Sequence, residues 1–310
     1  MERQANIGHW DEVAWRRIDR GELQGERRRL GPHVGTSEVG LSRYRLGPGE
    51  RAMPAHVHAD EEELLFVLAG GGLVWLDGVT HELRAGDGIV HRANAEAHTW
   101  VAGPEGIDVL AFGEGSRTHM TYLPRAQAWW MGPRWMPADG PNPFVLEAAA
   151  GPLELPPEPS PRPATIRNVD ELPVEAETKG RYGWHMRDLG RGTGSVTSGL
   201  RHDHLEEGQW TCPPHWHTAE EELFVVLDGV GEVELGTTRY QLRAGSIVAR
   251  PPNPGVEHAL IGGAGGMTYL AYGTRRAHDV CFYPRTGKLN FGGGVIFRIV
   301  PVDYMDGEDP

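Results

Sequence analysis

Two stretches of the chain decide the fold: HVHADEEELLFVLAG at residues 56–70 and HWHTAEEELFVVLDG at residues 215–229. In both, one residue separates two histidines, and side chains two apart on a strand point to the same face. Glu63 lies five positions after His58, which is the wrong parity for one continuous strand. The polar residues between them therefore predict a turn that brings the glutamate in at the start of the next strand.

Two imidazoles and one carboxylate make a binding site for a divalent metal ion. The pattern recurs at a spacing of 159 residues with every ligand type kept, so chance is a poor explanation. A further histidine follows each glutamate after 35 or 36 residues, beside a short apolar stretch that is typical of a returning strand. We therefore predict one metal site in each half, with the ligands His56, His58, Glu63, His98, His215, His217, Glu222 and His258.

The internal repeat extends beyond the ligands, since Leu30-Gly31 matches Leu189-Gly190 at the same spacing of 159 residues. Between the two units, six prolines lie among residues 152 to 163, and such a segment is extended and semi-rigid. We predict three parts: an N-terminal domain at residues 1–150, a Pro-rich linker at 151–163 and a C-terminal domain at 164–310.

The composition favours a β protein and narrows the classes of function. Gly and Pro together number 67, and short apolar runs alternate with turn signals such as Asp77-Gly78, which indicates a sandwich or barrel. The formal net charge of −13, without a basic run, argues against a nucleic-acid or anionic-membrane partner. With two cysteines and no apolar run at the start of the chain, we expect a cytoplasmic protein without a membrane partner.

The ligand pattern resembles the first motif of the cupin superfamily, which reads His-x-His, four residues, Glu, six residues, Gly. The second cupin motif, which ends in Pro-x-Gly, two residues, His, is recognisable before His258 as Pro251 and Gly255, but its Pro and Gly are missing before His98. The resemblance implies an all-β fold of two tandem double-stranded β-helix (jelly-roll) barrels. Residues 272–285 are similar to a group of bacterial two-domain cupins, or bicupins. The altered second motif predicts that the N-terminal site either binds metal more weakly or is closed to substrate, so that loss of His258 reduces activity more than loss of His98.

Three histidines and one glutamate leave two positions open on an octahedral ion, and such a ligand set accepts iron(II), manganese, nickel, copper or zinc. Together with the resemblance, this predicts a dioxygenase-type oxidoreductase that acts on a small chelating organic acid, phenol or diketone. Two alternatives stay open: a Lewis-acid isomerase or lyase for a sugar or keto acid, and a non-catalytic cupin that binds a small ligand. Glu63 and Glu222 could also accept a proton from bound substrate.

Further expectations concern the neighbours of the ligands. Acidic residues in the polar turns are expected to be solvated, namely Glu61, Glu62, Glu220 and Glu221. Side chains two positions beyond a ligand share its inward face, which predicts apolar pocket walls from Leu65, Trp100, Phe224 and Leu260.

The remaining expectations concern residues without a clear match between the halves. Histidines such as His91 and His119 are expected at the surface or in structural roles. Arg92 and Arg250 are expected to be surface arginines rather than contacts for an anionic substrate. The Trp-rich residues 126–146 are expected to pack between the barrels, with closure of a pocket mouth as the alternative. We expect a small-molecule substrate, and leave open whether the chain forms a homo-oligomer.

Overall fold

The structure is a computed structural model that describes residues 6–114, 119–131, 134–136, 139–292 and 294–308. Residues 1–5, which hold most of the segment used to argue against a signal peptide, lie outside the described residues. Within the described ranges, no helix has both the length and the apolar character that crossing a bilayer requires.

Strands dominate both halves and recur in the same order. The N-terminal half contains β1 (Ile7–His9), β2 (Arg16–Arg20), β3 (Leu23–Arg29), β4 (Val39–Leu46), β5 (Val57–His58), β6 (Glu63–Leu76), β7 (Val79–Arg84), β8 (Asp87–His91), β9 (His98–Glu114), β10 (Met120–Leu123), β11 (Ala128–Met131) and β12 (Arg134–Met136). The C-terminal half contains β13 (Ile166–Asn168), β14 (Glu175–Lys179), β15 (Tyr182–Asp188), β16 (Ser198–Leu205), β17 (Trp216–His217), β18 (Glu222–Leu235), β19 (Thr238–Arg243), β20 (Ser246–Arg250), β21 (His258–Thr274), β22 (Cys281–Tyr283), β23 (Lys288–Asn290) and β24 (Ile296–Arg298). The helices are short: the 3-10 turns Trp10–Glu12 and Val169–Glu171, and α1 (Gly31–Val34), α2 (Pro143–Ala149) and α3 (Leu189–Thr193).

Each half forms a barrel from one large and one small antiparallel sheet. The N-terminal large sheet has the order β13-β8-β6-β9-β4-β3-β2, with β7 paired to β6, and the small sheet has the order β12-β11-β10-β5. The C-terminal sheets repeat this as β1-β20-β18-β21-β16-β15-β14, with β19 paired to β18, and β17-β22-β23-β24. The predicted all-β fold of two tandem barrels is confirmed.

The first strand of each repeat belongs to the sheet of the other repeat. Ile7 of β1 pairs with Val248 of β20, and Ile166 of β13 pairs with Ile89 of β8. The two halves thus exchange an edge strand, and each exchanged strand covers a row of backbone donors and acceptors that would otherwise be open. The domain boundaries drawn from the sequence stay a prediction.

An apolar core joins the barrels. It combines side chains from both halves, and at its centre Phe112 stacks on Tyr272 with ring centroids 5.2 Å apart and an interplanar angle of 15°. Both side chains are at most 1% exposed. Fully burying a side chain of this size contributes about 2 to 3 kcal/mol, so Phe112 and Tyr272 stabilise the contact between the barrels.

Two glutamates reinforce this interface from equivalent positions. Glu62 accepts hydrogen bonds from the backbone N–H groups of residues 196–198 and from the hydroxyls of Ser195 and Ser198. Glu221 accepts hydrogen bonds from the backbone N–H groups of residues 37–39. Each carboxylate thereby satisfies a turn of the opposite barrel that would otherwise hold buried, unpaired donors.

The expectation that the acidic neighbours of the ligands are solvated is wrong. Glu61, Glu62 and Glu221 are 8%, 2% and 0% exposed, and Glu220 is half-buried. The physical reason is that the turn between each His-x-His and its glutamate faces the other barrel and the cavity rather than water. Buried carboxylates are tolerated there because they accept several hydrogen bonds or contact histidine.

The glycine that ends each first motif is required by the backbone. Gly70 and Gly229 have φ angles of 72° and 77°, in the left-handed region that favours glycine. A side-chain carbon at either position would overlap the carbonyl oxygen of Gly106 or Gly266 on the neighbouring strand. Both glycines lie at bulges where β6 and β18 bend, and this bend closes the barrels.

Candidate metal centres

The N-terminal site gathers its four predicted ligands from three strands. His58 lies on β5, Glu63 begins β6 and His98 begins β9, while His56 is bridged to His98 through backbone hydrogen bonds. One ligand atom from each of the four residues lies within 4.8 Å of all the others. Nε2 of His98 is 3.2 Å from Oε2 of Glu63. The turn predicted from the parity of Glu63 is thus present, and it brings the carboxylate to the imidazoles.

Outer contacts orient each imidazole. Nδ1 of His56 is 2.9 Å from the carbonyl oxygen of Pro54, so this nitrogen donates and Nε2 carries the free lone pair. Nδ1 of His58 is 2.9 Å from Glu61 and 3.2 Å from the hydroxyl of Thr121. Nε2 of His58 is buried without a hydrogen-bond partner among the described residues. Such outer partners of ligand histidines are typical of metal sites, and a lone pair left over in this way fits a bound ion.

The pKa shifts of His56 and Glu63 also favour the binding of a cation. Burial, together with the neighbouring imidazoles of His98 and His58, lowers the pKa of His56 to about 3. Burial acts to raise the pKa of Glu63, but the hydrogen bond with His98 and the charges of the other histidines lower it below its usual value. A neutral imidazole beside an ionised carboxylate is the state in which both groups coordinate a metal.

The C-terminal site is less compact. His215, Glu222 and His258 form one group of donors within 4.8 Å of one another, and Nε2 of His258 is 3.0 Å from Oε2 of Glu222. His217 lies outside this group, although its Nε2 is 3.5 Å from the same carboxylate oxygen. All eight predicted ligands are therefore at the two sites, but only the N-terminal four make a single tight cluster in the described structure.

Asp279 contacts a predicted ligand, and the sequence analysis did not single it out. Its Oδ2 is 2.7 Å from Nδ1 of His217, and its Oδ1 accepts the backbone N–H groups of Ala219 and Glu220. Burial acts to raise the pKa of Asp279, yet the contact with His217 lowers it to about 2. Since 62 residues separate the two side chains, the sequence offered no local signal for this contact.

A thiol also distinguishes the C-terminal site. Sγ of Cys212 is 3.4 Å from Nδ1 of His215. Burial acts to lower the pKa of His215, but the neighbouring Cys212 raises it to about 9. In the N-terminal barrel, the buried ring of His91 stacks on the ligand His98 at 3.6 Å with an interplanar angle of 2°. His91 was expected at the surface or in a structural role, and its contact with a ligand could have been sought from its place on the strand before His98.

The N-terminal cavity has a volume of about 460 Å³ and opens onto the metal ligands. Trp130 and Trp135 form part of its wall. The expectation that the Trp-rich segment packs between the barrels is therefore wrong, and the alternative, a role at the pocket, agrees with the structure. The reason is that β10 pairs with β5 and β11, which draws the segment onto the sheet that carries His58.

The C-terminal cavity, of about 320 Å³, is more polar. Phe224 and Leu260 line it as predicted, whereas Leu65 and Trp100 belong to the apolar core of the N-terminal barrel. Charged side chains not foreseen from the sequence line both cavities: Arg27, Glu61 and Glu114 in the N-terminal one, and Arg201 and Asp203 in the C-terminal one.

The two arginines named in the sequence analysis, Arg92 and Arg250, line neither of these two cavities. Arg92 is exposed and donates a hydrogen bond to the carbonyl oxygen of Gly194 in the other barrel. Arg250 is 5% exposed, so the expectation of a surface position is wrong for this residue. Arg250 lies on β20 and pairs with Glu222 on the neighbouring strand β18, which places it inside the barrel wall and not at the surface.

Comparisons with known proteins agree with this architecture. The cupin-domain family matches residues 42–111 and 201–267. Dimethylsulfoniopropionate lyase DddW from Ruegeria pomeroyi is 37% identical over 98 residues, which are 32% of this chain and 56% of that protein. The chain therefore matches little more than half of the length of this curated relative.

Two solved structures show the same fold. Oxalate decarboxylase from Lactobacillus farciminis, in complex with formate, superposes with a TM-score of 0.60 at 16% identity, over 89% of this chain and 87% of that one. Oxalate decarboxylase from Bacillus subtilis, which has Mn(II) centres, gives a TM-score of 0.59 at 15% identity, over 89% of this chain and 78% of that one. At these identities the likeness concerns the fold alone. The two matched regions and the two barrels together show that the chain is a two-domain member of the cupin superfamily.

Proposed function

We propose that the protein is a metal-dependent lyase that cleaves a bond near the carboxylate of a small organic acid, with its active site in the N-terminal barrel. The observation that carries this proposal is the cluster of His56, His58, Glu63 and His98 at the wall of a 460 Å³ cavity. A divalent ion on these donors would supply Lewis acidity to a substrate oxygen. We propose the other four predicted ligands as a second metal site.

Side chains around the cluster supply what such a reaction needs. Oε2 of Glu61 is buried without a partner among the described residues and lines the cavity, so this carboxylate can take a proton from substrate. Glu63 was predicted in that role, but its Oε2 is held 3.2 Å from His98, which makes it the better ligand. The Arg27 guanidinium, on the same cavity, is suited to bind a carboxylate.

Three similar proteins support the choice of reaction class. The curated relative is named as a lyase, and the two solved structures are decarboxylases. All three names describe bond cleavage in a small carboxylate. They suit a site in which a base and a polarising ion face one cavity.

A dioxygenase is the second candidate. It is favoured by the two coordination positions that three histidines and one glutamate leave open, next to the apolar walls Phe112 and Trp130. Oxygen dependence separates the candidates, because a lyase forms its products under nitrogen and a dioxygenase consumes one dioxygen for each turnover.

The test is a screen of small carboxylates under nitrogen with the Mn(II)- or Zn(II)-loaded chain, followed by NMR of the products. We expect turnover that His56→Ala with His98→Ala abolishes and that Glu61→Gln lowers at least about 100-fold. The matched pair His215→Ala with His258→Ala should keep most of the activity. Stoichiometric oxygen uptake during turnover would transfer the assignment to the dioxygenase.

A further inference from the structure

A lateral row of side chains leads from the N-terminal ligands along the cavity wall. His58 on β5 is paired with Thr121 on β10. Thr121 is paired with Trp130 on β11, which in turn is paired with Trp135 on β12. Paired residues of antiparallel strands lie on the same face of the sheet, and neighbouring strands are about 4.8 Å apart, so the backbones of Trp130 and Trp135 lie about 10 and 15 Å from that of His58.

The indoles and a phenyl ring enclose space from several sides. Trp130 and Trp135 have ring centroids 4.9 Å apart and an interplanar angle of 63°. Trp135 and Phe144 on α2 are 6.1 Å apart at 81°. All three rings line the cavity. Aromatic rings at steep angles around one volume are the arrangement that binds quaternary ammonium and similar cations, because the π faces attract positive charge.

Glu114 provides a buried carboxylate at the wall of the same cavity. Glu114 is 9% exposed, and its Oε1 has no hydrogen-bond partner among the residues that the structure describes. Its other oxygen is 3.1 Å from Nη1 of Arg276. An unpaired carboxylate oxygen that is kept from water carries a free-energy cost, which a bound cation would remove.

The wall of the same cavity also carries a positively charged side chain, Arg27, on a different strand from Glu114. Arg27 on β3 donates to the hydroxyl of Ser42, and its guanidinium carbon lies 5.2 Å from the ring centroid of Tyr44. Arg27 and the metal ligands thus offer places for an anion, while Glu114 and the aromatic rings offer a place for a cation. The cavity is complementary to a molecule that carries both charges.

The C-terminal barrel provides an internal comparison. There His217 is paired with Cys281, Cys281 with Asn290, and Asn290 with Ile296. A thiol, a carboxamide and an aliphatic side chain thus replace the hydroxyl and the two indoles of the N-terminal row. The aromatic enclosure is a feature of the N-terminal cavity and does not follow from the fold itself.

We infer that the N-terminal cavity takes a zwitterionic carboxylate whose far end is an onium group, a sulfonium or quaternary ammonium held by Trp130, Trp135 and Phe144, with the negative charge of Glu114 on the same cavity wall. This inference rests on the proposed lyase function and names its substrate class. It requires that the carboxylate lie at the metal ligands and Arg27, with the cation along the row of indoles.

The chemistry of such a substrate balances without an oxidant. When the onium group is β to the carboxylate, the proton on the carbon next to the carboxylate goes to Glu61. The electron pair of that C–H bond forms a carbon–carbon double bond, and the C–S or C–N bond breaks. Its electron pair leaves on a neutral sulfide or amine, which no longer has the charge that the aromatic rings bind.

Two isosteric probes that the proposed elimination cannot cleave test the inference: 4-(trimethylammonio)butanoate, whose onium group is γ to the carboxylate, and 5,5-dimethylhexanoate, in which an uncharged carbon replaces the nitrogen. Calorimetry on the Zn(II)-loaded full chain should show that the cationic probe binds about tenfold more tightly. Trp130→Leu and Trp135→Leu should reduce this preference to less than about threefold. Trp129→Leu, at a neighbouring residue that is 39% exposed, is the matched control and should keep it.

Glu114→Gln provides a second variant, which keeps the aromatic wall and should also reduce the preference for the cation. It decides the matter if the tryptophan variants fail to fold. Equal binding of the two probes, or an equal loss in Trp129→Leu, would overturn the inference. If the probes bind equally while other carboxylates are cleaved, the substrate class is wrong and the lyase proposal survives. If the cation is preferred and no substrate is cleaved, the lyase proposal fails and the cation site stands.

Discussion

Glu62 and Glu221 occupy the same position in the two repeats, and each inserts its carboxylate into a backbone turn of the other barrel. Both residues directly precede the glutamate of a metal site. The turns that they hold lead into β16 and β4, whose side chains Arg201 and Tyr44 line the opposite cavities. The interface and the two sites are therefore built from the same short segments.

Glu62→Gln should lower the free energy of unfolding by about 2 to 3 kcal/mol, because an amide presents N–H groups to backbone donors that the carboxylate now satisfies. Urea denaturation of the full chain measures the loss. Glu105→Gln removes an exposed carboxylate of the same barrel and should change stability by less than about 0.5 kcal/mol. Equal effects of the two changes would contradict the role of Glu62.

The stabilisation by Glu62 should depend on pH. Burial acts to raise the pKa of Glu62, but the hydrogen bonds from the 195–198 turn lower it below the usual 4.5. A depressed pKa means that the stabilisation is present above about pH 4.5 and is lost as the pH falls through the folded value. The stability difference between the wild type and Glu62→Gln should accordingly be constant near pH 7 and shrink below pH 4.5. A difference that grows on acidification would contradict this.

The two metal sites should differ in affinity, in the order opposite to that expected from the sequence. The altered motif before His98 predicted a weaker N-terminal site, whereas the structure places those four donors in the tighter cluster. We expect a chelator to remove the C-terminal ion first. Elemental analysis of His56→Ala with His98→Ala, and of His215→Ala with His258→Ala, identifies the ion that stays. Earlier loss of the N-terminal ion would restore the expectation from the motif.

Asp279→Asn should weaken the C-terminal site by about 10- to 100-fold, because Asp279 orients His217 through Nδ1. The N-terminal site has the hydroxyl of Thr121 in a similar place, 3.2 Å from Nδ1 of His58, and it should be unaffected. Metal titration of both sites measures the change. A loss at the N-terminal site of equal size would show that Asp279 acts on overall stability instead.

The sequence predicted those features that depend on local spacing. The parity of His56, His58 and Glu63 predicted a turn between two strands, and the recurrence of the pattern predicted two barrels. Contacts that cross from one barrel to the other were not predictable in this way. Glu62 and Ser195 are 133 positions apart, and nothing near Glu62 distinguishes a buried acceptor from a solvated acidic turn.

The Trp-rich segment illustrates a second limit. Tryptophan supplies buried area in any setting, so composition favoured an interface between barrels. Its actual place depends on the pairing of β10 with both β5 and β11, which is a property of the sheet and not of the segment. The domain boundaries stay a prediction, and whether the chain forms a homo-oligomer stays open.

The exchange of β1 and β13 has a consequence for the origin of the chain. A single repeat carries one strand to donate and one open sheet edge to fill, so two separate copies would complete each other around a twofold axis. The covalent chain thus has the architecture that fusion of a symmetric dimer would give. Fusion frees each half to change alone, so one row of side chains can carry two indoles while the other carries a carboxamide and an aliphatic side chain at the same positions.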